Sequence, residues 1–585
     1  MKINHTIKTA LLMTSVVLAT LNASAQKDTV RLRQEVEVSK NYQPTVSEAE
    51  KINDIPKIKT EQSEPPTFDY SIFSKPVYSN FDLTPVAAAK MVGESKPELE
   101  NGLLKLGIGN YYTPYGELFY NVQPEKNSNF GMHFMHLSSW GKIKLLNDDK
   151  VKAPRSENVA ELFGQKFFRR STLTGRLSYD RNAFNYYGYP GERLSDEQKD
   201  AMIPYFGDKQ HFSQGTVDVN LKSGKGFATI INYDLGFNYH YFVTKTAQKE
   251  HQTVFSANLS KKFNKTIGLL NASLTYYRAE GLRNRYTNSI GRKQQVLLRA
   301  DPSVMWKTKN AKLQLGVNTA LLLDDDTNGS GMIFPKVNAE WSPVEQVLTL
   351  FAGADGYFQH NTYSAIAAEN PYVDPLHDVA NAKVSYLLSG GIKGKLSPKT
   401  NFVTQAAYSL VKDQHFYVTR STNFNNPTAA VRTLDNTFSV LYDDVNVFKL
   451  SGELLHTVSE NFSLHLVGNY YSYTLTSLEK PWQMPNFDFT FSGIFKPTEQ
   501  LKFTADIFLV GKRTALITEG QNSSVPALQV AMDPIIDMNA GGEYKFNDRL
   551  NFFLKLNNFG FQKYEQWLGY TNKGFNWLGG LSYSF

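Results

Sequence analysis

The sequence predicts an all-β fold: a transmembrane antiparallel β-barrel of about 22 strands over residues 101–585, with an extended N-terminal arm at residues 26–100. Three features of the sequence point there. From Asn101 onward, bulky apolar and polar residues alternate with the period of two that puts successive side chains on opposite faces of a strand. The alternating segments commonly run to ten or fifteen residues. A soluble strand has roughly 5 to 6 residues, and a tilted membrane strand needs roughly 9 to 11. Finally, short and long connections alternate along the chain, as in barrels with tight periplasmic turns and long external loops.

At the N-terminus, Lys2 and Lys8 flank the start of an apolar run at residues 10–21, and Ala23-Ser24-Ala25 offers small residues before Gln26. Charge, length and cleavage site are those of a secretory signal peptide over residues 1–25, cut near Ala25. The run is too short for a membrane anchor, which needs roughly 20 apolar residues. With no cysteine in the chain, a lipid-modified N-terminus, a disulfide framework, a thiolate metal site and a Cys nucleophile are all excluded. The net charge of +7 is mild for 585 residues and gives no sign of nucleic-acid binding.

Residues 26–100 read differently. Glu35, Val36, Glu37 and Val38 form a short strand-like stretch that could dock a partner by strand addition. Beyond it, Pro44, Pro56, Pro65, Pro66, Pro76, Pro85 and Pro97 rule out long helices and a central strand. Three placements stay open for this arm: inside a barrel lumen, hanging in the periplasm, or disordered in isolation.

The barrel strands show their faces in the side-chain order. Phe575, Trp577, Gly579, Leu581, Tyr583 and Phe585 alternate with Asn576, Leu578, Gly580, Ser582 and Ser584. Ile536, Met538 and Ala540 alternate with Asp537, Asn539 and Gly541, and only Phe553 interrupts the polar face of the strand beginning at Leu550. Lys502, Asp506, Glu543 and Lys545 on the polar faces suit a wet lumen better than a sheet packed on another sheet. Ten short turns, from Glu125-Lys126-Asn127 to Asn547-Asp548-Arg549, make ten hairpins, and one strand at each end brings the count to 22. That count treats residues 434–458 as one strand despite Asp443-Asp444. The longer connections are expected at residues 141–155, 187–210, 360–382, 413–432 and 514–532.

No catalytic arrangement is visible, so an enzyme is not expected, nor a cofactor. No G-x-S-x-G elbow occurs, and histidines such as His240 and His465 read as polar lumen lining. Asp324, Asp325 and Asp326, followed by Gly329, are a weak metal-loop candidate. They lack the bidentate Glu of a calcium loop, and a solvated turn is expected. Tyr111-Tyr112 and Tyr470-Tyr471 read as interfacial girdle or rim.

The C-terminus resembles TonB-dependent receptors. Asn557-Asn558-Phe559-Gly560, Tyr564, Trp567, Gly569-Tyr570, Gly574 and the closing Gly580–Phe585 stretch are similar to that family's last hairpin. The Asn- and Tyr-rich strands resemble those of Bacteroidota proteins of this kind. The resemblance implies a barrel closed by its last strand. It also implies an aromatic-ended assembly signal at Phe575, Trp577, Leu581, Tyr583 and Phe585, read by the barrel-assembly machinery of a Gram-negative outer membrane. The family carries a plug of well over a hundred residues, whereas about 75 residues lie between Gln26 and the first strand. A transport or porin-like barrel without its own full plug is therefore expected. The alternative is an accessory or scaffold barrel, docking a periplasmic or surface-lipoprotein partner through the arm and the long loops. Outer-membrane lipid is the expected surround, and nucleic acid is not an expected partner.

Overall fold

In a computed structural model the chain is described over residues 100–189, 209–224, 231–246, 248–283, 290–325, 327–420, 436–518 and 527–585. The expected signal peptide, the arm up to residue 99, Glu35 to Val38 and Asp326 lie outside these residues.

Twenty-two antiparallel strands form a closed barrel wall. Each pairs with its neighbours in sequence, and the ring closes where Gly102–Gly109 meets Asn576–Ser584, in register from Leu103↔Ser584 to Gly109↔Leu578. Residues 434–458 contribute one strand, Phe438–Ser459, so the even count holds and both wall ends lie on the short-turn side. Glycines make the closure close. Gly107 faces Gly580, and a Cβ at Gly580 would overlap the carbonyl oxygen of Leu106. With strands about 4.8 Å apart and tilted by about 40°, such a wall encloses a cylinder roughly 40 Å across.

Burial runs opposite to that of a soluble protein. On Ala311–Asp324, Leu313, Leu315 and Val317 are each more than a third exposed, while Lys312 and Gln314 between them are partly buried. On the last strand Trp577, Leu581 and Tyr583 face outward, and Leu578 and Ser582 are buried inside. An apolar outer face is stable only against lipid, as transmembrane strands require. The inner face is a hydrogen-bonded polar surface: Asn318 donates to Asp355 (2.6 Å), and Lys336 donates to Asn318 (3.1 Å). Phe553, the break in a polar face, packs edge-on against Tyr115 across a centroid distance of 6.2 Å. Tyr470 is exposed. Its neighbour Tyr471 does not join the outer girdle, but lies under the Lys449 ammonium at 5.4 Å and stacks on Tyr473.

Of the expected long connections, 187–210 lies mostly outside the described residues, and the other four are more ordered over their described residues than their sequences suggested. Residues 141–155 contain the hairpin Lys142–Lys144/Lys150–Lys152. The stretch 360–382 contains the helix Tyr363–Glu369. Residues 413–432 do not begin a loop at Asp413. The strand Thr400–Arg420 continues past it, with a register shift between Val411 and Gln414 that absorbs the irregularity. The stretch 514–532 carries the hairpin Arg513–Thr518/Leu528–Met532. This hairpin joins the sheet by parallel pairing to a strand elsewhere in the wall, Thr419↔Ile517 and Arg420↔Thr518.

Candidate functional site

The external connections meet above the lumen in a folded lid. Tyr187 follows the fifth wall strand, Tyr372 lies between the thirteenth and fourteenth, and Tyr570 between the last two. Those attachment points are spread around the ring, yet Tyr372 stacks on Tyr570 at 3.5 Å between centroids, and Tyr187 meets both edge-on. Segments rooted so far apart touch only by crossing the mouth. Phe184, Phe212, Phe242, Tyr363, Tyr417, Phe438 and Trp567 complete one buried cluster with them.

The helix Tyr363–Glu369 is too short to be stable alone, since isolated helices need roughly 12 to 15 residues. Two side chains cap it. Thr362 accepts from the Ala365 amide (3.1 Å). Glu250, on the wall strand Lys249–Phe263, accepts from the amides of Tyr363 (2.7 Å) and Ser364 (2.9 Å) and from the Tyr277 hydroxyl. A carboxylate on the first-turn amides satisfies orphan donors and opposes the positive end of the helix dipole. At the other end Glu369 pairs with His415 at 2.9 Å.

The last hairpin is held from beneath. Arg513, itself buried, donates to the carbonyl oxygens of Glu565 (2.6 Å) and Gln566 (2.5 Å). Tyr570 donates to the Asn436 carbonyl at 2.6 Å, and Asn436 donates to that of Tyr186 at 2.9 Å. Gly188 passes so near this segment that a Cβ there would lie 2.6 Å from the Gly569 oxygen and the Tyr570 ring. Gly569 and Gly574 turn the chain at φ +83° and +71°, a region that favours glycine. Burial pushes the Glu565 carboxyl up to about 7, opposed by the nearby Arg513 charge. It pushes the Lys573 ammonium down to about 8.

The structure divides the residues that the sequence singled out. Tyr564, Gly569 and Tyr570 enter the lid, with the Tyr564 hydroxyl on Asp537 at 2.7 Å. Asn557 closes the top of its strand by donating to Asn576 (2.8 Å). Gly574 and Phe575 lead back into the wall, where Phe575 packs on Phe561. Trp577, Leu581, Tyr583 and Phe585 form the lipid-facing edge of the closing strand. Asp324 accepts from Gln295 at 2.7 Å, and among the described residues no three His, Asp or Glu side chains are grouped to hold a metal ion. Glu250, Tyr372, Asn436 and Arg513 carry no sequence signal. Each is an ordinary residue whose partner lies far away in the chain.

Beneath the lid, the lumen is lined by paired charges and amides. Glu117 accepts from Lys105 (3.1 Å) and Tyr115 (2.6 Å) and contacts His133 (3.1 Å), which also reaches Glu161 (3.3 Å). Asn238 donates to Asp218, and Thr216 contacts His240 at 3.1 Å. His240 is thus lumen lining. Gln214, Asn238, His240 and Gln252 face Thr362 and Ser364 across a recess of about 310 Å³ directly below the helix.

No family model and no curated protein matches the sequence. Solved structures do match. The pyoverdine outer membrane receptor FpvA from Pseudomonas aeruginosa PAO1 is 14% identical with a TM-score of 0.59, over 84% of this chain and 80% of that one. The siderophore receptor PirA from Acinetobacter baumannii is 10% identical with a TM-score of 0.62, over 84% and 81%. The ferric-catecholate import receptor Fiu from K12 E. coli is 9% identical with a TM-score of 0.60, over 84% and 83%. The fold is that of a TonB-dependent receptor barrel.

Proposed function

We propose that this chain is an integral outer-membrane transport barrel, related to TonB-dependent receptors, whose resting barrier is its own external lid and which works without a full plug of its own. The observation that carries this is the junction of Tyr187, Tyr372 and Tyr570 over the polar lumen of a wall roughly 40 Å across. A lumen lined by Lys105, Glu117, His133 and Glu161 is hydrated and suits a solute path. A barrel of that bore left open would breach the permeability barrier, and the lid supplies closure from the outside. Transport of this sort needs no catalytic group.

Conductance of the purified full chain in planar bilayers tests the reading. The native protein is expected to be silent or to flicker, and a Glu250→Ala/Arg513→Ala double variant to show long-lived openings. Silence from both would refute a transport barrel gated by its lid. One observation favours the second reading, an accessory barrel of a larger outer-membrane assembly: the mouth is closed by buried rings and not merely narrowed. Such a barrel would stay silent in both forms and would retain a stoichiometric partner in mild detergent.

A further inference from the structure

A second recess lies among the external connections and shares no lining residue with the one below the helix. It has a volume of about 280 Å³ and lies between the hairpin Arg513–Thr518/Leu528–Met532 and the last hairpin. That volume is at the small end for ligand pockets. Ile517, Leu528, Val530 and Met532 form an aliphatic wall, and Glu565 and Asp533 supply carboxylates. The cation on its lip is already engaged, because Lys563 pairs with Asp148 at 2.7 Å. Arg513 turns its guanidinium to two backbone carbonyls. Among the described residues neither Glu565 nor Asp533 makes a direct salt bridge, and the Gly569 amide and the nearby Arg513 charge act on the Glu565 carboxyl. An apolar wall beside a partly buried carboxyl and an exposed carboxylate is complementary to one kind of small molecule.

We propose that this recess binds a small aliphatic ammonium compound, its alkyl chain against Ile517, Leu528 and Val530 and its ammonium toward Glu565 and Asp533. The site goes beyond the transport reading and does not depend on it, because ligand capture between two hairpins requires no conductance. The Glu565 carboxyl, raised by burial and by the neighbouring Asp533 charge against the pull of the Gly569 amide and Arg513, adds a signature. A bound cation favours its ionised form, so affinity rises as the pH climbs toward about 7, below the range in which an α-ammonium gives up its own proton.

Calorimetric titration of the full-length protein in lipid nanodiscs with L-leucinamide, a cationic aliphatic probe, tests this against neutral N-acetyl-leucinamide. Leucinamide is expected to bind about tenfold more tightly than the neutral probe, a difference of one charged contact. Glu565→Gln should remove most of that preference and flatten its pH dependence. Leu528→Lys, on the exposed lip, should abolish leucinamide binding. Equal affinity for the two probes, unchanged affinity in Glu565→Gln, or no binding of leucinamide at all would overturn the proposal. Should Glu565→Gln prevent assembly, Asp533→Asn on the exposed rim gives the same comparison. These outcomes are independent of the bilayer measurement, so failure of one proposal is not failure of the other.

Discussion

Arg513 sits buried in the lid with its guanidinium committed to two carbonyl oxygens of the last hairpin. The fork is what matters, because a lysine offers a point charge and cannot span both oxygens. Arg513→Ala should cost the lid about 3 kcal/mol, from two lost charge-assisted hydrogen bonds and the carbonyls left bare. Amide exchange should then quicken roughly 100-fold over Glu565 to Tyr570 while the wall strands stay protected. Arg513→Lys should fall between the two. Glu565 gives a pH dependence with a definite sign. Its carboxyl is raised by burial to about 7, above the ordinary value of 4.5. Between those values the folded protein keeps a proton that the unfolded chain has lost, so stability falls as pH rises through that window. Thermal unfolding at pH 5 and pH 8 should show that loss in the native protein and a smaller one in Glu565→Gln. Equal losses would remove Glu565 as its source.

Two elements show how much of the structure is borrowed from their surroundings. The helix Tyr363–Glu369 buries Tyr363, Ile366 and Ala367 and takes its first-turn acceptor from Glu250. Its seven residues are too few for a recognisable 3.6-residue period, and for that reason the sequence reads there as loop. Glu250→Ala leaves two amides unpaired in a buried place and should cost about 2 to 6 kcal/mol. Fast amide exchange confined to residues 363–369 is the expected readout; uniform exchange across the barrel would show that Glu250 holds more than this helix. The closing strand behaves otherwise. Its alternation of Trp577, Leu581 and Tyr583 with Leu578 and Ser582 was plain in the sequence, and the burial follows it. Gly580→Val should prevent closure, since even a Cβ overlaps the facing backbone. Loss of the compact, heat-modifiable band on cold electrophoresis is the expected result.

On the scale of the molecule, the wall is uneven. Wall strands reach 21 and 22 residues at Thr400–Arg420 and Phe438–Ser459, but only eight and nine at Gly102–Gly109 and Asn576–Ser584. The longest are roughly twice what a membrane crossing needs, so they stand clear of the lipid on one side and lend their upper residues to the lid. Tyr417, Val418 and Phe438, near the strand ends, are fully buried there. This explains why residues from 413 onward read as loop: above the bilayer the lipid no longer imposes an apolar outer face, and the pattern that marks a strand fades. The lid then couples distant parts of the chain, and conductance of the Glu250 and Arg513 variants reports on that coupling directly.

The sequence by itself determined the barrel: about 22 strands, their inward and outward faces, and the side on which the turns are short. Those properties are local, because lipid outside and water inside impose a two-residue period on every segment, whatever its partner. Only the tertiary structure decided that external connections meet across the mouth, that Arg513 and Glu250 bond to them, and that a recess lies between two of their hairpins. Each of these depends on groups brought together from opposite sides of a wide ring, and no periodicity along a chain records which loop will meet which across open space.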